Sequence, residues 1–395
     1  MVRTLVASSV DLIARCQAAS GAYVAAPGYG TYAYSWLRDG AFIAASMDAH
    51  GRSDSAEAFH RWVAGSIERH ASKVERLEEE VEVALKGTGD PLRPLDDRYA
   101  LHTRFTIDGE EAEGHWGDFQ LDGYGFWLTS VARHLSMTRS DPGPLTHAID
   151  LVRRYLALTW QLPCFDCWEE YPTQRHTTTW AAVAQGLRTT SGLGADASAR
   201  GTEAGITRRL ISAAGPAAIL RKFVDAPDPR SSQQVIEVPD EPDEAIAGHE
   251  RIGRPLHRDA VDGSALLVLG NFGPFEPSGD VVTHTLRAID DALVVGGGVH
   301  RYLEDEFYGG GVWVVLGGAL ATVLATRDAP RAREVLAWVE AQADSSGGLP
   351  EQVSTDLCAP RSLSVWTERW GPPAQPLLWS HAMYLLAAAS LRRSD

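Results

Sequence analysis

The chain has 395 residues, of which 44% are hydrophobic and 22% charged, and no apolar run approaches the roughly 20 residues that a membrane-spanning helix needs. Its 52 acidic residues outnumber its 36 lysines and arginines, and the resulting formal charge of -16 would repel nucleic-acid phosphates and anionic lipid headgroups. These properties exclude a membrane protein and argue against a nucleic-acid partner.

The first predicted element is a helix over residues 2–19. Asp11 and Arg15 fall within the stretch that would have to be apolar in a signal peptide, so the segment has the character of an amphipathic helix instead. We therefore expect the protein to be cytoplasmic.

Helical spacing of apolar residues continues through most of the chain. Leu145, Ile149, Val152, Leu156 and Trp160 follow one another in steps of three or four, which places them on one face of a helix. Comparable patterns cover residues 2–19, 39–50, 54–85, 121–138, 176–190, 204–224, 261–271, 280–294, 307–327, 330–344 and 375–392. Strand-like alternation is confined to residues 101–107 and 234–238, so the sequence predicts an all-α fold without a parallel sheet.

Long loops rich in Gly, Pro, Trp and acidic residues separate these helices, and they tend to recur after every second helix. Helix pairs whose loops emerge on one side describe an (α/α) toroid, in which one rim forms a pocket. Residues 225–258 are rich in Pro, Asp and Glu and predict a solvated excursion, not a domain boundary. We expect residues 1–395 to form a single domain.

Two of these loops carry carboxylates suited to chemistry. Glu169 and Glu170 follow Trp168 in an aromatic, Pro-flanked loop, and Glu351 follows Pro350 far along the chain. Glycoside hydrolysis needs one protonated carboxyl to donate to the leaving oxygen and one ionised carboxylate to activate water or attack carbon. Desolvation in an apolar loop suits the acid role, which either Glu169 or Glu170 could fill. The alternative for an adjacent pair is a solvated surface.

Tryptophan is abundant, with 12 residues, and several of them lie in loops beside charged residues. Indole rings pack against the CH faces of sugars while Arg and Asp bind hydroxyls, so Trp36 with Arg38 and Asp39 has the composition of a carbohydrate pocket. Asp39 has a structural interpretation as well, because an acidic residue is favourable near a helix N-terminus.

No metal ion or other cofactor is predicted. The sequence has no HExxH motif, and His115 and His381 are isolated. The glycine runs at 296–298 and 309–311 lack a Walker lysine, so they favour tight turns over phosphate binding. Cys164 and Cys167 have no second Cys or His pair for zinc and no thioredoxin-like surroundings, so we interpret the cysteines as buried free thiols.

Six segments in this order resemble the signature loops of glycoside hydrolase family 15, the glucoamylases and their relatives. They are YAYSWLRDGAF, WGDFQLDGYG, FDCWEEY, VHRYLEDEFYGGGVW, GGLPEQ and PLLWSHA, and they span residues 32–382. The resemblance implies an (α/α)6 barrel with a dead-end pocket, in which a terminal sugar is removed with inversion.

Carried over by position, the resemblance assigns roles to individual residues. Glu169 resembles the general acid, and Glu170 resembles the carboxylate that contacts the leaving sugar. Glu351 resembles the general base, and Tyr32 resembles the tyrosine that holds the nucleophilic water.

The remaining matches resemble the subsite for the terminal glucose and its entrance. Trp313 resembles an entrance residue. The subsite itself would comprise Trp36, Arg38, Asp39, Trp116 and Arg301.

The first motif begins at Tyr32, so we expect no N-terminal β-sandwich, and no starch-binding module is predicted after the last helix. A small oligosaccharide is therefore the expected substrate. We expect release of β-glucose from the non-reducing end of isomaltose-like α-1,6 or malto-oligosaccharide α-1,4 glucosides. The alternatives are an α,α-trehalase on the same scaffold, a sugar-binding protein without catalysis, and a transglucosidase, which an inverting geometry disfavours.

Overall fold

The computed structural model describes residues 4–77, 81, 95, 98–114, 116–193, 199, 201–225 and 260–394. Its α-helices are α1 (Leu5–Cys16), α2 (Leu37–Ala49), α3 (Ser53–Arg69), α4 (Ala71–Glu75), α5 (Asp122–Thr138), α6 (Gly143–Thr159), α7 (Thr177–Thr189), α8 (Thr202–Ala214), α9 (Asp280–Leu293), α10 (Val314–Leu324), α11 (Ala329–Ala341), α12 (Pro360–Trp370) and α13 (Leu378–Ser394). Short 3-10 helices cover Gly30–Tyr32, Gly263–Val268 and Phe307–Gly309. Among the described residues, no helix is long and apolar enough to cross a membrane.

The helices form two concentric layers. In the inner layer α2 packs on α5, α5 on α7, α7 on the 3-10 helix Gly263–Val268, that helix on α10, α10 on α13, and α13 again on α2. The outer layer packs against this ring, with α3 on α2, α6 on α5, α8 on α7, α9 on the 3-10 helix, α11 on α10 and α1 on α13. The predicted all-α class and (α/α)6 barrel are thus confirmed.

Sequence composition separates the two layers. The inner helix α10, with the sequence VVLGGALATVL, is buried on every face, as expected of a helix surrounded by others. The outer helix α9 buries only Val282, Thr285, Ile289 and Leu293, whose spacing of three or four places them on one face.

Glycines let inner helices approach closely. A Cβ atom on Gly125 of α5 would lie 2.5 Å from the backbone of Ala182 in α7, and one on Gly186 would lie 2.6 Å from the Gly125 carbonyl oxygen. A side chain at either position would push α5 and α7 apart. This contact holds together two helices whose first turns stand at the rim of the barrel.

All six inner elements begin at that rim, and each is entered through a long loop. Two small antiparallel sheets brace these loops. The first pairs β1 (Ser35–Trp36) with β2 (Arg104–Phe105). The second has the order β3 (Val294–Val295), β4 (Gly298–Val299), β5 (Val312–Trp313) and β6 (Gln352–Val353), and it sets Trp313 opposite Gln352.

Several predicted boundaries are wrong. The helix expected over 307–327 begins only at Val314, because Gly309 and Gly310 adopt φ angles of 81° and 66° and break the pattern. The helix expected over 204–224 ends at Ala214, before Gly215 with a φ of 63°.

Three further elements differ from the prediction. Residues 263–268 form a 3-10 helix instead of an α-helix over 261–271. The helix expected over 54–85 breaks at His70, between α3 and α4. Helix α12 has no counterpart in the prediction. The strand at 234–238 and nearly all of the excursion at 225–258 lie outside the described residues.

Candidate active site

A cavity opens at the rim where the inner helices begin. Its empty space is about 900 Å³ when counted out to the open mouth. Its walls include every residue that the sequence assigned to the site: Tyr32, Trp36, Arg38, Asp39, Trp116, Glu169, Glu170, Arg301, Trp313 and Glu351. The fold thus brings five separate loops to one place.

The loop that carries Glu169 is wound around the carboxylate of Asp166. One oxygen of Asp166 accepts the backbone N–H groups of Trp168 and Glu170, each at 2.9 Å. The backbone of Glu169 has a φ of 65°, in the left-handed region that non-glycine residues seldom adopt. This conformation lets both Glu169 and its neighbour Glu170 line the cavity.

A buried ion cluster holds this loop to the next one. The ammonium of Lys222 lies 2.7 Å from Asp166 Oδ2 and 2.5 Å from Asp262 Oδ2. The other oxygen of Asp262 accepts the indole N–H of Trp168 at 2.9 Å. Although burial favours the neutral acid, the charge of Lys222 and the hydrogen bonds lower the pKa of Asp262. All three charged groups are therefore compensated within the cluster.

Glu169 itself faces the cavity, with 23% of its side chain exposed. The Trp36 indole donates to Glu169 Oε1 at 2.8 Å, and Arg38 Nη2 lies 3.8 Å from the same oxygen. Arg38 is fixed in turn by Gln120, at 2.9 Å, and by Asp122, at 3.2 Å. The carboxyl is therefore oriented from one side and open to a ligand on the other.

Glu170 has different surroundings. It is only 4% exposed, its Oε2 accepts the Tyr302 hydroxyl at 2.5 Å, and its Oε1 lies 3.3 Å from Arg301 Nη2. The interpretation of Glu169 and Glu170 as a solvated surface pair is therefore wrong, since both line the cavity and Glu170 is buried.

Glu351 lies across the cavity and is 6% exposed. Its Oε1 accepts the Tyr32 hydroxyl at 3.4 Å, and its Oε2 has no hydrogen-bond partner within the described part of the chain. Burial raises the pKa of Glu351 to about 8, against the opposing effects of Arg301 and Tyr32; Asp39 and Glu169 add to the increase. Burial also raises the pKa of Asp39, to about 7. The cavity thus contains two carboxyls whose pKa values are raised by burial.

The loop that carries Glu351 is held by hydrogen bonds between neutral groups. The backbone N–H of Leu349 donates to His381 Nε2 at 2.9 Å, so the proton of this imidazole must sit on Nδ1, which lies 2.8 Å from the hydroxyl of Ser9. Burial lowers the pKa of His381 to about 4 and keeps it neutral. His381, isolated in the sequence, therefore positions the loop of Glu351 from the first turn of α13.

Arg301 joins the two sides of the cavity. It pairs with Asp305 at 2.5 Å as well as with Glu170, and its guanidinium carbon lies 5.1 to 5.3 Å from the ring centroids of Trp168 and Trp313. Its charge is thus fixed among aromatic rings with nitrogens directed at carboxylates.

Residues 2–338 match the model of glycosyl hydrolases family 15. The chain belongs to this family. It is therefore a glycoside hydrolase, and the resemblance of its loops is confirmed. Glu351 lies beyond the matched residues, so its place in the site rests on the cavity that it lines.

This family 15 enzyme is 37% identical over 382 residues to the isomaltose glucohydrolase of Kribbella flavida, an alignment that covers 96% of this chain and 90% of the relative. A wild-type glycosidase structure is 36% identical, has a TM-score of 0.81 and covers 98% of this chain and 96% of its own. A variant glycosidase in complex with glucose is 35% identical with the same TM-score. The glucoamylase of Saccharomycopsis fibuligera shares the fold, with a TM-score of 0.62 at 16% identity; the alignment covers 99% of this chain and 95% of that one.

Aromatic residues that the sequence did not single out complete the walls of the family 15 cavity. Trp366 and Trp370 lie one turn apart on α12 and both line it. The Tyr29 hydroxyl lies 3.0 Å from that of Tyr308 and 3.2 Å from the carbonyl oxygen of Trp370, and so ties three loops together at the mouth. The four-residue spacing of these tryptophans was the signal available in the sequence.

All four cysteines are free; Cys164 and Cys167 are buried as predicted, whereas Cys16 and Cys358 are partly exposed. Cys167 lines the cavity of the enzyme. Burial raises its pKa well above the ordinary value, which keeps it a protonated thiol.

Proposed function

We propose that this family 15 hydrolase is an exo-acting, inverting α-glucosidase that releases β-glucose from the non-reducing end of short α-glucosides. The observation that carries the proposal is the placement of Glu169 and Glu351 in one cavity, each with a carboxylate oxygen toward it and each held by a different loop. A pair of carboxyls that flanks a bond is what glycoside hydrolysis requires.

The exo mode follows from the closed end of the cavity. Arg38, Asp39 and Trp379 lie in the first turns of inner helices, and each is at most 6% exposed. A chain end can enter, but a polymer cannot thread through packed helices. The charged groups at this end can bind the hydroxyls of one terminal sugar, while the aromatic residues at the mouth can contact the leaving part.

In the proposed reaction Glu169 donates its proton to the glycosidic oxygen as the bond from that oxygen to C1 breaks. Glu351 removes a proton from a water that bonds to C1 on the opposite face, so an α-glucoside gives β-glucose. The proton on Glu351 then exchanges with solvent, and Glu169 regains one. This mechanism requires the carboxyl groups to stand about 6.5–9.5 Å apart, so that the water fits between them and the sugar.

The elevated pKa of Glu351 bears on its proposed role, because a general base must be ionised. A carboxyl with a pKa of about 8 is ionised at neutral pH in only a minority of molecules, unless a neighbour takes the proton. Arg301 and the Tyr32 hydroxyl favour the ionised form. A proton that Glu351 gives up can reside on Asp39, because burial raises the pKa of Asp39 to about 7.

The relatives support an α-1,6 bond as one substrate. One is named isomaltose glucohydrolase, and the solved variant holds glucose. We propose isomaltose-like α-1,6 and short α-1,4 glucosides as the substrates, with both sharing the same terminal-glucose subsite. The residues near the mouth, Trp366 and Trp370, would contact the leaving sugar and set the preference.

A product screen tests the proposal. Isomaltose, maltose, panose, trehalose and dextran are incubated with the enzyme, and early digests are followed by proton NMR. We expect β-glucose first and the fastest turnover on a short α-1,6 or α-1,4 substrate, with Glu351→Gln as the inactive control. Early α-glucose would contradict inversion, a preference for trehalose would indicate a trehalase, and release of internal fragments from dextran would contradict the exo mode.

A further inference from the structure

A second cluster of ligand-type side chains lies far from the active site. Asp48 stands in the last turn of the inner helix α2, His60 on the outer helix α3, and His134 near the end of the inner helix α5. At 1.5 Å per residue, Asp48 is roughly 16 Å along α2 from the first turn, where Arg38 and Asp39 face the cavity. The cluster therefore belongs to the opposite end of the barrel.

The three side chains converge. One potential ligand atom from each, a carboxylate oxygen or a ring nitrogen, lies within 4.8 Å of the other two. His134 Nδ1 is 3.1 Å from both oxygens of Asp48, and the two imidazole rings have their centroids 5.1 Å apart. Three helices thus each direct one side chain to a common point.

The histidine nitrogens have few partners there. Both ring nitrogens of His60 and Nε2 of His134 are buried and have no hydrogen-bond partner in the regions that the structure describes. His60 is 0% exposed and His134 1%. Buried side-chain nitrogens are nearly always hydrogen-bonded, so His60, with neither ring nitrogen partnered, calls for a further group that binds one of them.

The chemistry of these groups suits a cation. Imidazole nitrogens and carboxylate oxygens are ligand types that Zn²⁺ takes in proteins. Both oxygens of the Asp48 carboxylate face Nδ1 of His134. The set is therefore one carboxylate and two imidazoles, each of which can offer one ligand atom.

Asp48 also lines a second cavity at this end of the barrel, together with Ala45, Ala132 and Ser136. Arg133 and Arg393 line the same cavity, so an ion held there only by electrostatic attraction would be repelled. An ion that forms strong bonds to imidazole nitrogen is less affected by that charge, which favours transition metals over Mg²⁺ or Ca²⁺.

We propose that Asp48, His60 and His134 bind one divalent transition-metal ion, with Zn²⁺ as the expected ion. Zinc bonds of about 2.1 Å place tetrahedral ligand atoms about 3.4 Å apart, so small rotations of these side chains would close the site. The ion replaces the hydrogen bond between Asp48 and His134, whose proton moves to the other ring nitrogen. It would join α2, α3 and α5 and stabilise the barrel at the end away from catalysis.

Spacing in the sequence does not reveal this site. Its three residues come from three helices, and the intervals from 48 to 60 and from 60 to 134 fit no common metal motif. The packing of α3 on α2, and of α2 on α5, creates the cluster.

The experiment measures zinc binding to the full-length enzyme. Protein is stripped with a chelator, exchanged into chelator-free buffer and titrated with ZnCl₂ by calorimetry, and the bound metal is counted by elemental analysis. We expect one Zn²⁺ per chain, a rise in Tm on binding, and unchanged hydrolysis. His60→Leu, which replaces the imidazole by an apolar group, should lose both the stoichiometric ion and the Tm shift.

Two control variants locate the ion. His147→Leu removes an exposed histidine of α6 and should keep the zinc, as should Glu351→Gln in the active site. If His60→Leu does not fold, Asp48→Asn takes its place and should weaken binding at least tenfold. No stoichiometric zinc in the wild-type enzyme, or equal binding by the cluster variants, would overturn the proposal.

Discussion

The loops of Glu169 and Glu351 hold their carboxyls in opposite ways. The loop of Glu169, called the acid loop after the proposed role of Glu169, has a left-handed φ at that residue. It is held by buried charges, with Lys222 between Asp166 and Asp262. The loop of Glu351, called the base loop after the proposed role of Glu351, continues into strand β6 and is fixed by the neutral imidazole of His381. One loop depends on ion pairs and the other on backbone and neutral hydrogen bonds.

The two carboxyls also differ in the groups that surround them. Glu169 accepts the Trp36 indole N–H and faces the guanidinium of Arg38, and part of its side chain is exposed. Glu351 is buried, and one of its oxygens lacks a partner in the described chain. Stability and reactivity are thus expected to respond differently when each loop is disturbed.

The largest effect should come from removing either carboxyl. We expect Glu351→Gln and Glu169→Gln each to lower kcat on isomaltose by about 10²–10⁴-fold, because each removes one partner of general acid–base catalysis. The two variants should diverge on α-glucosyl fluoride, whose leaving group needs little protonation. Glu169→Gln should regain most of its activity on the fluoride, whereas Glu351→Gln should remain slow.

If Glu351→Gln, and not Glu169→Gln, regained activity on the fluoride, Glu351 would be the general acid and Glu169 the general base. Near-normal rates in either variant on isomaltose would remove that residue from the mechanism. Circular dichroism and the melting temperature verify that both variants are folded. Glu351→Gln should melt higher than the wild type above pH 7, because it removes a buried carboxyl whose ionisation opposes folding.

The sign of that stability effect follows from the pKa. Folding raises the pKa of Glu351 from 4.5 to about 8, so between these values the folded chain binds more protons than the unfolded chain. Stability contributed by this group therefore falls as pH rises through that window, at roughly 1.4 kcal/mol per pH unit for one proton. The Gln variant should lack this part of the pH dependence.

The next largest effect should come from disrupting the buried cluster of Lys222, Asp166 and Asp262, which holds the acid loop. Lys222→Met leaves Asp166 and Asp262 buried without their cation, and we expect the free energy of unfolding to fall by about 3–5 kcal/mol. Urea denaturation measures this loss. Since Asp166 also shapes the turn at Glu169, kcat should fall as well.

Lys73→Met is the matched control. Lys73 pairs with Glu111 at 2.6 Å, but both side chains are about 15% exposed and lie outside the cavity. Its removal should lower the free energy of unfolding by less than Lys222→Met does, because this pair is partly exposed to solvent, and should leave kcat unchanged. Equal losses in the two variants would show that the acid loop does not depend on its buried charges.

The smallest effect should come from Tyr32→Phe. The Tyr32 hydroxyl donates to Glu351 at 3.4 Å and favours its ionised form, so its loss should raise the pKa of Glu351 further. A base must be ionised, and the acidic limb of kcat/KM should therefore move to higher pH, with a loss of roughly tenfold or less at pH 6. A uniform loss at all pH values would assign Tyr32 to binding instead.

The boundaries of α2, α5, α7 and α9 lie within two residues of the prediction, because these helices have continuous patterns and begin after clear breaks. Helix α12, by contrast, buries none of its residues, and its Trp366 and Trp370, four residues apart, were the only signal of its face in the sequence. Its Trp366 and Trp370 contact the cavity only because the loop folds back across the mouth.

Motif order in the sequence determined the family and the ten residues that meet in one cavity, because loops that bind a sugar need particular side chains at fixed places. Only the tertiary structure brought Lys222 to Asp166, His381 to Leu349, and Asp48 to His60 and His134. Such partners come from separate elements. Their distances depend on how the two helical layers pack, and a one-dimensional pattern does not contain that information.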